Sequence, residues 1–187
     1  GRSGAAPSGY GQREARDVAD AVTALRIRGE VVGPLHLMGV SYGAATAIFS
    51  ARELGLQVDN VIAIESFDNA GGAIRDMVPH MLAKPPESVS QRISHRLLRM
   101  QMDDGALERA IASASDTLQL RLDRVDVGAA LAQVPSCVLL LHGREDRHVP
   151  VAHGRALAAA APRAHYIEVA GDDHISLPMR LDLLAPT

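Results

Sequence analysis

The chain has no tryptophan, two phenylalanines and three tyrosines among 187 residues. It therefore has no aromatic platform of the kind that stacks sugars or nucleobases. A single cysteine, Cys137, excludes an internal disulfide and a thiolate metal site. Set within "SCVLLL", it reads as a small buried hydrophobe, and a lone thiol fits a reducing, cytoplasmic setting. No apolar run approaches the roughly 18 residues of a membrane span. No block of basic residues appears and the formal net charge is -3, so nucleic acid is not an expected partner. No pair of histidines has zinc-like spacing with a third ligand, and no metal or other cofactor is expected.

What remains is an ordinary water-facing composition, with 47% apolar and 22% charged residues. The length suits one domain, taken as residues 1–187. The opening "GRSGAAPSGYG" reads as loop. From about Gln12 to Arg28, Ala15, Val18, Ala19, Val22 and Leu25 recur at helical spacing, and Gly29 ends the pattern. Short apolar runs then alternate with helical stretches: "LHLMGV", "VDNVIAIE", "CVLLLHG" and "AHYIEVAG" predict strands. Helices are predicted at "YGAATAIFSAREL", at 151–161 and, around Pro178, at 175–184. This alternation predicts right-handed βαβ units in a parallel sheet covered on both faces. Ligands of such sheets sit beyond the carboxyl ends of the strands, where Ser41, Glu65, Asp146 and His174 all fall.

Residues 67–134 break the rhythm. The pieces "AIRDMVPHML", "VSQRISHRLLRM" and "GALERAIASA" predict a helical insertion or cap between the second and third strands. An ordinary crossover elaboration is the alternative.

"LMGVSYGA" holds the chemical question. A serine hydroxyl is a weak nucleophile until a base takes its proton, and that base needs a carboxylate to orient it. "GVSYG" is G-x-S-x-G, with an apolar run before Ser41 and a helical one after. Gly39 and Gly43 have no Cβ to collide where strand and helix approach. The helix N-terminus after the serine favours developing negative charge. "LLLHGREDRHVP" offers Asp146 as the acid, with Glu145 as its rival, and "VAGDDHISLP" offers His174 as the base. Asp172 and Asp173 read as turn residues. Glu65 is a second acid that could orient His174, because such relays are defined by geometry rather than chain position. Phe67, in "ESF", is expected beside the nucleophile as a substrate-binding wall. His36, His80, His95, His153 and His165 read as structural, and His142 and His148 as neighbours of the acid loop.

Together these residues resemble the α/β-hydrolase family, specifically its small serine-esterase and prolyl-oligopeptidase-like branch. "GVSYGAA" resembles the nucleophile elbow and "VPSCVLLLHGREDRHVP" the acid strand. "IAIESF" resembles the Asp/Glu-Ser-Pro-Phe run without its proline, and "AGDDH" the histidine loop. Val40 and Ala44 depart from the Trp and second Gly usual in prolyl-oligopeptidase-type enzymes. The resemblance implies a three-layer α/β core with a Ser41, His174, Asp146 triad. It implies an oxyanion donor at the Tyr42 N–H and cleavage of a small-molecule ester or related acyl bond without a cofactor. A non-catalytic binding protein or inactive fragment of the same fold is the first alternative, and peptide cleavage the second. The opening segment resembles the stretch after the family's fourth strand, so the expectation is an N-terminally truncated fold. The loop with the second oxyanion donor would lie before Gly1, and loss of one such donor costs about 10²–10³ in turnover. The strand at 35–40 would then be an open edge, to be covered by the missing segment or by a second copy of the chain.

Overall fold

A computed structural model describes residues 7–83, 92, 96 and 103–180. The four apolar runs, too short for helices and rich in Val, Ile and Leu, form β1 (His36–Val40), β2 (Asn60–Ile64), β3 (Cys137–Gly143) and β4 (His165–Val169). They pair in parallel, in the order β1-β2-β3-β4, so among the described residues β1 and β4 are the two edges. Among the described residues the α-helices are α1 (Glu14–Ile27), α2 (Tyr42–Leu54), α3 (Ala70–Ala83), α4 (Asp104–Leu118), α5 (Val127–Leu131) and α6 (Val151–Ala160). The fold class expected from the sequence, a parallel α/β core, is the one observed.

Side chains alternate between the two faces of the sheet. On one face Val61, Ala63, Val138 and Leu140 meet Ala45, Ile48 and Phe49 of α2, Leu131 of α5 and Leu157 of α6 in the main core. Full burial of each large side chain contributes about 1.5–3 kcal/mol. On the other face Ile64 and Leu141 pack with Leu177, flanked by Val40, Ile62, Leu139 and Val169. Leu177 belongs to a single 3-10 turn, Leu177–Met179, within the 175–184 segment expected as a terminal helix; residues 181–184 of that segment lie outside the described ones. On that same face Met38 is 56% exposed.

Of the three helical pieces expected between 67 and 134, the first lies in α3 and the third in α4. The second falls mostly among residues outside the described ones. Arg75 of α3 grips Glu108 of α4 through two bonds of 2.6 and 2.7 Å and reaches Asp123 at 2.7 Å. His153 of α6 bonds Asp68 after β2 and Asp76 of α3 at 2.5 and 3.1 Å, tying α3 to the main body. Among the described residues no helix is long and apolar enough to cross a membrane.

Two expectations need correction. Cys137 is exposed, because as the first residue of β3 it lies on the sheet face opposite the main core, the face on which Met38 is also exposed. The two glycines of G-x-S-x-G are also unequal. A Cβ on Gly39 would lie 2.1 Å from the Gly43 carbonyl oxygen, whereas one on Gly43 would meet nothing within 4 Å among the described residues. The tight approach is thus between the side of β1 and the backbone of α2, and only Gly39 is forced by it.

Gly39→Ala is expected to destabilise the protein by at least about 1–3 kcal/mol, the usual cost of overpacking. Gly43→Ala, in the first turn of a helix, should be neutral or stabilising by up to about 1 kcal/mol. Urea denaturation of both variants checks this, and equal losses would refute it.

Candidate active site

The parallel strands all deliver their carboxyl ends to one rim, and the functional side chains stand on the turns beyond it. Ser41 comes directly after β1 with φ 52°, and its N–H continues the ladder to the Ile64 carbonyl at 2.8 Å. Glu65 repeats the device after β2, with φ 54° and its N–H donating to the Leu141 carbonyl at 2.8 Å. Such left-handed backbone at a residue with a Cβ costs of order 1–3 kcal/mol and marks positions held by their surroundings. At Ser41 the strain turns the chain sharply into α2 and leaves the hydroxyl at the sheet rim. The Ser41 carbonyl accepts from Ala44 and Ala45, starting the helix, while the N–H of Tyr42 precedes the first intrahelical bond.

His174, in the loop after β4, joins two partners. Its Nδ1 lies 2.6 Å from Asp146 Oδ2 and its Nε2 lies 3.0 Å from Ser41 Oγ. With Nδ1–H donating to the carboxylate, Nε2 carries the lone pair that accepts the serine O–H. Asp146 is held from its other oxygen, which accepts the N–H groups of His148 and Val149 at 2.8 and 2.9 Å. Its rival Glu145 is exposed and points elsewhere, accepting from the Gly171 N–H at 3.3 Å. Asp173 shapes the histidine loop by accepting from Ile175 and Ser176, and Asp172 pairs with Arg180 at 2.8 Å.

The electrostatics separate the acids. Burial opposes the charged form of His174, but the bond and charge of Asp146, with the nearby acids Glu65 and Asp173, outweigh it and hold the imidazole above its ordinary value. Glu65 is 0% exposed, and neither of its oxygens has a hydrogen-bond partner among the described residues. Burial, reinforced by the charge of Asp146, pushes its carboxyl up to about 8. Its Oε2 lies 3.7 Å from His174 Nδ1. Burial likewise lowers His142, whose Nε2–H donates to the Val149 carbonyl at 2.8 Å. Among the described residues, Glu65, Asp146 and His174 are the one group whose ligand atoms are close enough together for a metal ion, all within 4.8 Å. Hydrogen bonding already employs the His174 Nδ1 and the Asp146 carboxylate of that group.

Several placements are not legible in the sequence. Phe67, expected as a substrate wall, is 5% exposed and belongs to the main core, its ring 6.5 Å from that of Tyr10. His148 stands 5.3 Å from the His174 ring, and His80 of α3 stands 5.0 Å from His148. Their meeting depends on α3 crossing toward the acid loop, a long-range contact that leaves no mark on local spacing. Tyr42 has a second role through its side chain. Its hydroxyl donates to Glu14 at 2.7 Å and accepts from Ser8 at 2.7 Å, while Glu14 also accepts the N–H groups of Gly9 and Gly11.

A parallel sheet with a serine elbow after one strand, and an acid and a histidine on the turns after two others, defines the α/β-hydrolase class of fold. The particular family emerges from the chain as a whole: residues 1–185 match the alpha/beta hydrolase family, to which the protein belongs. No curated protein matches it at the sequence level. Among solved structures it resembles Rv0554 of Mycobacterium tuberculosis, with 21% identity and TM-score 0.60, over 93% of this chain and 69% of that one. A hydrolase of Pseudomonas aeruginosa PA01 is similar at 18% identity and TM-score 0.59, over 98% and 72% respectively. The acylaminoacyl peptidase of Pyrococcus horikoshii, at 12% identity and TM-score 0.61, matches 89% of this chain, which spans only 24% of that protein.

The raised carboxyl of Glu65 has a consequence for stability. A group whose folded value exceeds its unfolded one favours the fold below the unfolded value and loses that contribution as pH rises through the folded value. The window here runs from the ordinary 4.5 to about 8. Between pH 6 and 9 the wild type should lose roughly 2–3 kcal/mol more than Glu65→Gln, as read by denaturant melts at each pH. Parallel curves for the two proteins would refute it.

Proposed function

We propose that the protein is a serine hydrolase that cleaves an acyl bond, an ester in the first instance, through an acyl-enzyme. The observation that carries this reading is the His174 imidazole bonded at once to Ser41 and Asp146. Ser41 Oγ attacks the carbonyl carbon while His174 Nε2 takes its proton. The N–H of Tyr42 receives the oxyanion as the tetrahedral centre forms, aided by the N-terminus of α2. The imidazolium, stabilised by Asp146, then returns the proton to the leaving group. Water enters, gives its proton to His174 and releases the acid, restoring Ser41.

Residues 67–134 we read as a cap over this rim, within the single domain. The reading draws on the approach of His80 in α3 to His148, beside His174. In that arrangement the cap would meet the substrate first, while the strained turns beneath it do the chemistry.

A fluorophosphonate probe should label the wild type and fail to label Ser41→Ala. Asp146→Asn is expected to lower kcat for p-nitrophenyl acetate by about 10³–10⁴, the cost of losing the productive tautomer. Folded wild type that takes no label would sink the proposal and favour a binding role. Faster turnover of peptide amides than of matched esters would replace esterase by peptidase.

A further inference from the structure

One side chain at the rim has no part in the steps above. Glu65 is fully buried, and its turn, with φ 54°, aims it behind the Asp146–His174 pair. The groups facing it come from three elements. Asp146 approaches from the loop after β3, and His174 and Asp173 from the loop after β4. The N–H of Gly143 faces it from the end of β3 without closing a regular bond. His142 stands behind Asp146, 3.7 Å from its Oδ2.

These two carboxyls are unequally treated. Three N–H donors converge on Asp146, from His148, Val149 and His174. Neither oxygen of Glu65 has a partner among the described residues, although Oε2 is 3.7 Å from the same imidazole nitrogen. A buried carboxylate without donors is costly, and two close carboxyls cannot both ionise cheaply. The proton therefore belongs on the one without donors.

We propose that Glu65 is a positioning residue that works as a neutral acid: it holds the proton of a two-carboxyl set, so that Asp146 alone confronts His174. This rests on the serine-hydrolase reading. While Glu65 is neutral, nothing competes with Asp146 for the Nδ1–H, and Nε2 stays aimed at Ser41. Once Glu65 loses its proton to solvent, a second carboxylate 3.7 Å from Nδ1 draws the ring away from Asp146, and the aim on Ser41 is lost. The ionisation also favours the imidazolium, which cannot accept the serine proton.

Glu65→Gln, a neutral isostere, separates this role from that of a working carboxylate. It should keep kcat/KM at pH 7 within about threefold of wild type and leave the acid limb in place. The alkaline limb should differ: wild-type activity falls at least about fivefold between pH 7.5 and 9.5, while Glu65→Gln stays flat. A loss exceeding about 100-fold at pH 7, or an alkaline fall shared by both proteins, overturns the proposal. If the variant does not fold, the carboxyl carbons of ¹³C-labelled glutamates in Ser41→Ala supply the answer. One should titrate near 8, and a set with every midpoint below about 5 overturns the proposal. That titration needs no turnover, so it stands apart from the probe-labelling test of the hydrolase reading.

Discussion

The site is organised around the 2.6 Å bond between His174 and Asp146. The bond joins residues 28 positions apart in the chain, on two separate loops, and makes the imidazole a bridge rather than a free ring. It selects the tautomer, leaves the second nitrogen for Ser41, and offsets the burial that works against a charged imidazole. The parallel sheet makes this possible. Its strands end at one level, so residues remote in sequence emerge side by side, and the loops after β3 and β4 are further stitched by Arg144 and Glu145 N–H bonds to Val169 and Asp172 carbonyls.

Most of the architecture can be read from the residues. The four apolar runs are the four strands, and the positions of Ser41, Asp146 and His174 just past them come from the βα rhythm. Local pattern decides such features, because hydrophobic period and turn residues act within one segment. Phe67 cannot be placed this way. Its neighbours in sequence suggest a loop at the site, while Tyr10, far away in the chain, completes the core around it. Cys137 misleads for the opposite reason: an apolar run says which residues are in a strand, not which face of the sheet is covered at each of them. The pairing of His80 with His148 requires knowing the path of α3.

Ser41 and Glu65 show one solution used twice. In each, an extended strand closes one further ladder bond and then reverses into a left-handed residue, throwing the side chain onto the rim. The first side chain ends within reach of an imidazole, where it has a partner. The second ends fully buried, where it has none among the described residues. One positive-φ turn thus sets a serine beside an imidazole, and the other sets a glutamate where no hydrogen-bond partner meets it among the described residues. The difference lies wholly in what the neighbouring strands bring to meet it.

The phenol of Tyr42 is anchored to Glu14 and Ser8, while its amide stands at the start of α2, next to Ser41. One residue therefore spans the distance between the outer 7–14 segment and the turn that carries Ser41, like a short lever pinned at its far end. Changes in that outer segment would be transmitted as small rotations of a peptide plane. The set of the Ser41 turn can accordingly drift through residues remote from it in the chain.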